Sequence, residues 1–256
     1  MGDSPGHLGI ADLPAPVRLA QLSRSRANHA TRLSSSKSGP YLLAETIGLT
    51  TAVILGIRIL SESPLANALW LMTPALWVAA ALVPTIIRRA RFAKIGLNLR
   101  QIKLALPLLC RTCLVVFGAT FAGLWLLKSR GLESPLQPIL PENQHWLCWV
   151  CYQFLYVAVA EEVFFRGYVL SNILRLTSAI KCRLRLRNWV SIVLSAACFA
   201  AAHIIIQGQI IAVLTFLPGL VLAYLFVRTK SLLAPILFHG LANTSYAIMA
   251  AVCFAA

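Results

Sequence analysis

The chain has 256 residues, 59% of them of the types AVILMFWYC and 12% charged, against about 45–50% apolar and about 25% charged in ordinary soluble domains. That balance excludes a water-soluble globule. Eight acids face 23 Lys and Arg, a formal charge of +15. Cations scattered through so apolar a chain point to a membrane surface and exclude a free nucleic-acid-binding protein.

Residues 1–40 form the only polar segment of any length, rich in Pro, Ser and Arg, with no acid between Asp12 and Glu45. They read as a disordered, basic cytoplasmic tail. The Arg and Ser content also suits an organelle transit peptide, against which Asp3 and Asp12 count, and the first apolar run starts too late for a cleavable secretory signal. Neither an internal repeat nor a long low-complexity tract follows.

At about 20 residues per helical span, the apolar runs supply seven: Tyr41–Leu60, Pro64–Ile87, Leu104–Leu127, Trp146 to about Leu170, Val190–Ile206, Ile210–Val227 and Leu232–Phe254. The runs are continuous and helix-length, unlike the alternating ten-residue strands of a membrane β-barrel. The fold class is therefore an all-α integral membrane protein, a polytopic bundle of about seven transmembrane helices. Residues 41–140 hold the first three helices, and residues 141–256 hold a helical core that carries the chemistry. Pro74 and Pro84 in the second span, and Pro218 with Gly219 in the sixth, mark expected kinks. Only Gln207, Gly208 and Gln209 separate spans five and six, which form either a tight hairpin or a re-entrant pair.

Lys and Arg collect in cytoplasmic loops. The tail, the second, the fourth and the sixth loops together hold 18 of them, against Lys128 and Arg130 on the other side. The amino terminus is accordingly expected in the cytoplasm and the carboxyl terminus opposite. The basic loops should attract anionic lipid headgroups. Compact loops suit a prokaryotic inner membrane.

Seven cysteines include two CxxC pairs, Cys110/Cys113 and Cys148/Cys151. The pairs fall at opposite faces of the membrane, and cysteine is an ordinary small apolar residue in packed helices. Neither a structural metal nor a disulfide framework is expected.

An ionisable group in mid-span costs about 2.5–3.5 kcal/mol on insertion scales and is by default a functional-site hypothesis. Arg58 and Arg111 are single arginines that snorkelling, or pairing with Glu45 or a carbonyl, would satisfy. Span four is different, because Glu161, Glu162 and Arg166 fall within six residues of apolar helix. Glu162 and Arg166, at i and i+4, can close a salt bridge, which leaves Glu161 without a helical partner, free to border a wet cavity and take a proton from water. Span five places Phe199 and His203 on one face, one turn apart, and span seven repeats that spacing with His239 and Asn243. Gly240 between them allows a neighbouring helix to approach closely. At 1.5 Å per residue, Glu161, His203 and His239 lie within about 8 Å of the bilayer midplane. His203 sits toward the outer side and His239 toward the cytoplasmic side, so one site requires some tilt.

The blocks EEVFFR at 161–166, FAAAH at 199–203 and HGLAN at 239–243 match in order and approximate spacing three signature motifs. The sequence resembles the CPBP intramembrane proteases, the CAAX-processing and bacteriocin-processing or Abi family, over about residues 146–254. The resemblance implies a glutamate-dependent endopeptidase that needs no cofactor. Glu161 would activate water, His203 would help position it, and His239 and Asn243 would hold the oxyanion. Glu162, Arg166 and Phe199 would support the site. A zinc centre built from Glu and His is the competing mechanism, for which no HExxH is present. The implied partner is a membrane-embedded or lipid-attached peptide or protein, with a prenylated CAAX end as one candidate. From other classes, a non-catalytic immunity or scaffold protein would keep the fold, and a proton-coupled carrier should show inverted repeats.

Overall fold

A computed structural model describes residues 15–65, 71–88, 102–135 and 145–254. Among them the chain is helical, with no strand. The helices are α1 (Ala15–Glu62), α2 (Met72–Ile87), α3 (Ile102–Ser129), α4 (Trp146–Thr177), α5 (Leu184–Gln207), α6 (Phe216–Thr229) and α7 (Leu233–Phe254). Six segments are long and apolar enough to cross a membrane, and α2 is a shorter apolar helix. The chain is a multi-pass integral membrane protein of the polytopic helical class. Arg89, Arg91, Lys94 and Arg100, which enter the charge tally, lie outside the described residues.

The chain divides into two compact units at Glu45/Thr46. The first contributes helical residues 15–45, so helix starts at Ala15, inside the stretch read as a tail. The cause is local: Pro16 falls in the first turn, where its missing N–H costs nothing, and no further proline occurs before Pro40. Residues 1–14 lie outside the described residues.

In the second unit the middle of α4 is enclosed. Residues Val163–Leu170 are buried without a break, whereas a helix that faced lipid would alternate buried and exposed stripes. Trp77 of α2 packs on Phe164 and Phe165 at ring separations of 4.7 and 5.0 Å. Val53, Ile54 and Ile57 of α1 belong to the same cluster, and Phe165 meets Phe199 of α5 edge-on at 5.0 Å. A second cluster joins Ala105 and Leu109 of α3, Leu222 and Leu225 of α6, and Ala234 and Phe238 of α7. Elsewhere α3 is peripheral: only 11% of its most apolar window is buried, which leaves residues such as Leu114 and Val115 for lipid. Arg111 stands exposed on that helix.

The second expected span is shorter than its apolar run. Ser63 to Leu65 form a turn, with the Ser63 hydroxyl and N–H both donating to the Leu60 carbonyl, and α2 starts only at Met72. Two expected kink prolines fall elsewhere in their helices: Pro74 and Pro218 occupy first turns, positions where a proline needs no kink.

Spans five and six form a hairpin. α5 ends on Gly208, left-handed at φ 68°, whose N–H bonds the Ile204 carbonyl at 2.9 Å, and a 3-10 segment, Ile210–Thr215, leads into α6. Two contacts at nearly equal distances from this turn define an antiparallel register. A Cβ on Gly219 would lie 3.3 Å from the Ala196 Cα, and Trp189 stacks on Tyr224 at 6.2 Å. The pairing continues to Trp189, near the start of α5. Arg58 secures the turn: its Nη1 donates to the Ile206 carbonyl at 3.0 Å, and it pairs with Glu62. Of the partners expected for Arg58, the carbonyl is present and Glu62 takes the place given to Glu45. The guanidinium also fills the space beside Gly208, 3.1 Å from where a Cβ would stand.

Candidate active site

Helix α4 alternates short α-helical pieces with wider winding, and the carboxylates stand in the middle α-helical piece. Tyr152–Ala158 and Val163–Leu170 are wound as π-helix on either side of Val159–Glu162. Wider winding of this kind is uncommon and recurs at functional sites. Side-chain hydroxyls attend carbonyls of the second wide segment: Ser171 donates to Arg166 O at 3.1 Å, and Ser195 of α5 to Phe165 O at 3.5 Å.

The two adjacent glutamates have different surroundings. Glu162 and Arg166 are both 0% exposed, with Arg166 Nη1 donating to Glu162 Oε1 at 2.9 Å. This is the i, i+4 pair that the spacing calls for, and the desolvated charges need it, since an unpaired buried ion is prohibitively costly. Arg166 Nη2 also donates to the Gly219 carbonyl at 3.3 Å. Its guanidinium carbon lies 4.4 Å from the Phe199 ring centroid. Phe199 also packs on His203 at 4.3 Å and meets His239 edge-on at 6.0 Å. Phe199 thus touches the arginine and both imidazoles, while Arg166 and His239 meet on Glu162 Oε1.

Glu161 keeps 16% of its side chain exposed, beside His203 at 19% and His239 at 7%. Its Oε2 lies 3.9 Å from His203 Nε2 and 3.9 Å from His239 Nε2. Both distances exceed a direct hydrogen bond and suit one oxygen held between the groups. The other ring nitrogens determine the proton arrangement. His203 Nδ1 is 3.0 Å from the Phe199 carbonyl, which only accepts, so Nδ1–H is the donor. His239 Nδ1 is 2.8 Å from Glu162 Oε1, which already accepts from Arg166, so this Nδ1–H donates as well. In the neutral rings both Nε2 atoms therefore face Glu161 as proton acceptors. Taking up a proton turns either into a donor, and in His239 the imidazolium would lie between two carboxylates.

Six of the seven expected site residues converge here: Glu161, Glu162, Arg166, Phe199, His203 and His239. Asn243 faces a different partner. One turn beyond His239 on α7, its Nδ2 donates to Gln153 Oε1 on α4 at 3.0 Å. Sequence reasoning missed Gln153 because it stands outside the blocks at 161–166, 199–203 and 239–243. An amide in an apolar helix, eight residues before Glu161, was the available signal. The seven cysteines are free thiols.

Gly240 has the close neighbour expected of it. A Cβ there would fall 2.5–2.7 Å from three ring carbons of Phe154 on α4. Gly240→Ala should push α7 away from α4, destabilise the protein by about 1–3 kcal/mol, the usual overpacking range, and disturb His239 next to it. Thermal unfolding in detergent measures the first effect. An unchanged melting temperature would mean that Phe154 swings aside freely.

Residues 143–245 match the family model described as Type II CAAX prenyl endopeptidase Rce1-like. The matched segment contains all seven expected site residues and Gln153, whereas α1, α2 and α3 lie outside it. No curated protein and no solved structure matches the chain.

Proposed function

We propose, from the Rce1-like domain that residues 143–245 carry, that this protein hydrolyses a peptide bond in membrane-associated substrates with water activated by Glu161. The observation that carries the reading is the Glu161 carboxylate, the more accessible of the adjacent pair, 3.9 Å from Nε2 of both His203 and His239. Glu161 takes a proton from a water that His203 helps to position. The resulting hydroxide adds to the scissile carbonyl carbon. The oxyanion accepts from Asn243 Nδ2–H and from the Nε2–H of the protonated His239 ring, whose Nδ1–H is held by Glu162. Collapse breaks the C–N bond, and the proton passes from Glu161 to the departing amine, which restores the carboxylate.

Access from the membrane suits an apolar or lipid-attached peptide, with prenylated CAAX ends as the leading class. Purified protein in detergent should cleave a prenylated CAAX peptide more readily than the same peptide without its lipid. Cleavage of both at equal rates would replace the prenyl reading with a general one, and cleavage of neither with an active-site-intact preparation would count against proteolysis of this class.

The charge bias supports a cytoplasmic amino terminus. Beyond Glu162 the chain has no Asp or Glu, so Arg175, Lys181, Arg183, Arg185, Arg187, Arg228 and Lys230 have no acidic counterpart in that part of the sequence. Burial, and secondly the Arg187 charge, hold the Lys230 ammonium below its usual pKa. Anionic lipid headgroups are the natural counterions. A reporter fused after Ala256 should read as extracytoplasmic and one inserted at Arg183 as cytoplasmic. The same compartment for both would overturn the orientation.

A further inference from the structure

A carboxamide carries two N–H donors and one carbonyl acceptor. Gln153 and Asn243 spend one N–H and one acceptor site on each other, and among the described residues neither side chain has a further hydrogen bond. Both are half-buried, in helices whose apolar windows suit a bilayer, where an unsatisfied polar group costs several kcal/mol. The remaining donors, two on Gln153 and one on Asn243, thus stand beside the site without protein partners. Their position is defined by α7: Asn243 is one turn, about 5.4 Å, from His239, whose Nε2 faces Glu161. An extended peptide advances about 3.3 Å per residue, so a bond being cut at Glu161 has a neighbouring main-chain carbonyl one or two residues away, level with the amide pair.

We propose that Gln153 is a substrate-binding residue whose carboxamide N–H donates to a main-chain carbonyl of the peptide next to the scissile bond, while its Oε1 holds Asn243. The ligand class is an extended peptide backbone, read independently of its side chains. The inference rests on the peptidase reading above, and Gln153 takes no part in proton transfer.

Gln153→Glu keeps an oxygen for Asn243 and removes the donors, and Gln153→Met removes both at similar volume. Each should raise KM for a cleaved peptide about 3- to 10-fold, the value of one neutral hydrogen bond, with a smaller change in kcat for Gln153→Glu. Substrates in which single backbone amides are replaced by esters, which weakens the carbonyl as an acceptor, provide the readout that a merely structural role would not move. One ester position near the cleavage site should weaken binding to the parent protein and have no such effect on either Gln153 variant. Equal ester penalties in parent and variants, or an unchanged KM, would overturn the proposal. Peptide affinities measured on Glu161→Gln protein, with and without the Gln153 change, give the same comparison without turnover. Failure of the Gln153 proposal is thereby distinguishable from failure of the Glu161 mechanism, and a variant that misfolds is recognised by its thermal unfolding.

Discussion

Glu161→Gln should insert, fold and melt as the parent does, while peptide hydrolysis falls by at least ~100-fold, the contribution of a positioned general base. The two halves of this expectation have separate grounds. Stability is spared because the Glu161 carboxylate makes no short ion pair: its nearest cationic candidates are imidazole nitrogens at 3.9 Å, and glutamine matches its shape. Activity is lost because the amide has no basic oxygen able to take a proton from water between His203 and His239. Cleavage rates and detergent melting curves on the same preparations decide the matter. Near-parental turnover would remove Glu161 from the mechanism. A collapsed melting temperature would instead make it a structural residue.

Glu162→Ala should fail in the opposite way. It strands Arg166, which is 0% exposed, in a low-dielectric interior, and breaking such a pair costs about 3–5 kcal/mol. It also takes away the acceptor of His239 Nδ1–H at 2.8 Å, so the imidazole loses the contact that orients it. Stability, expression and activity should fall together. Replacing Glu162 and Arg166 jointly by Leu and Met should recover much of the stability, since two apolar residues of similar bulk leave no uncompensated charge. Activity should remain low because His239 stays untethered. Full activity in the joint variant would show that the Glu162–His239 bond does not matter for turnover, and a melting temperature as low as that of Glu162→Ala would show that Arg166 is not the source of the loss.

Much of the site was legible in the order of residues along three helices. Glu162 and Arg166 could be paired from i, i+4 spacing alone, because helical geometry brings such residues together wherever the helix sits. The same reasoning singled out Glu161 by elimination, and the close approach of a neighbouring helix at Gly240 followed from a missing side chain. Less was legible where a partner came from a distant element. Nothing in the local sequence links Glu162 to His239, 77 residues on, or brings Phe199 against Arg166 and the two imidazoles. Asn243 could be placed near His239 by its spacing, but its bond to Gln153, across 90 residues, could not.

The sequence by itself determined the membrane character, the helical class and the set of polar residues that lipid would not tolerate without a purpose. These follow from composition and from periodicity, which act over one or two turns. Tertiary structure decided which stretch of α4 is enclosed and that α3 is peripheral, how Arg58 reaches the α5–α6 turn, and where each Nδ1–H of the two histidines is spent. Those outcomes depend on side chains meeting across helices, whose register is set by packing volumes such as Trp77 on Phe164 and Phe165 and by wide winding of α4 on either side of its glutamates. Neither has a signature in a window of neighbouring residues, because both are properties of surfaces that the chain brings together only on folding.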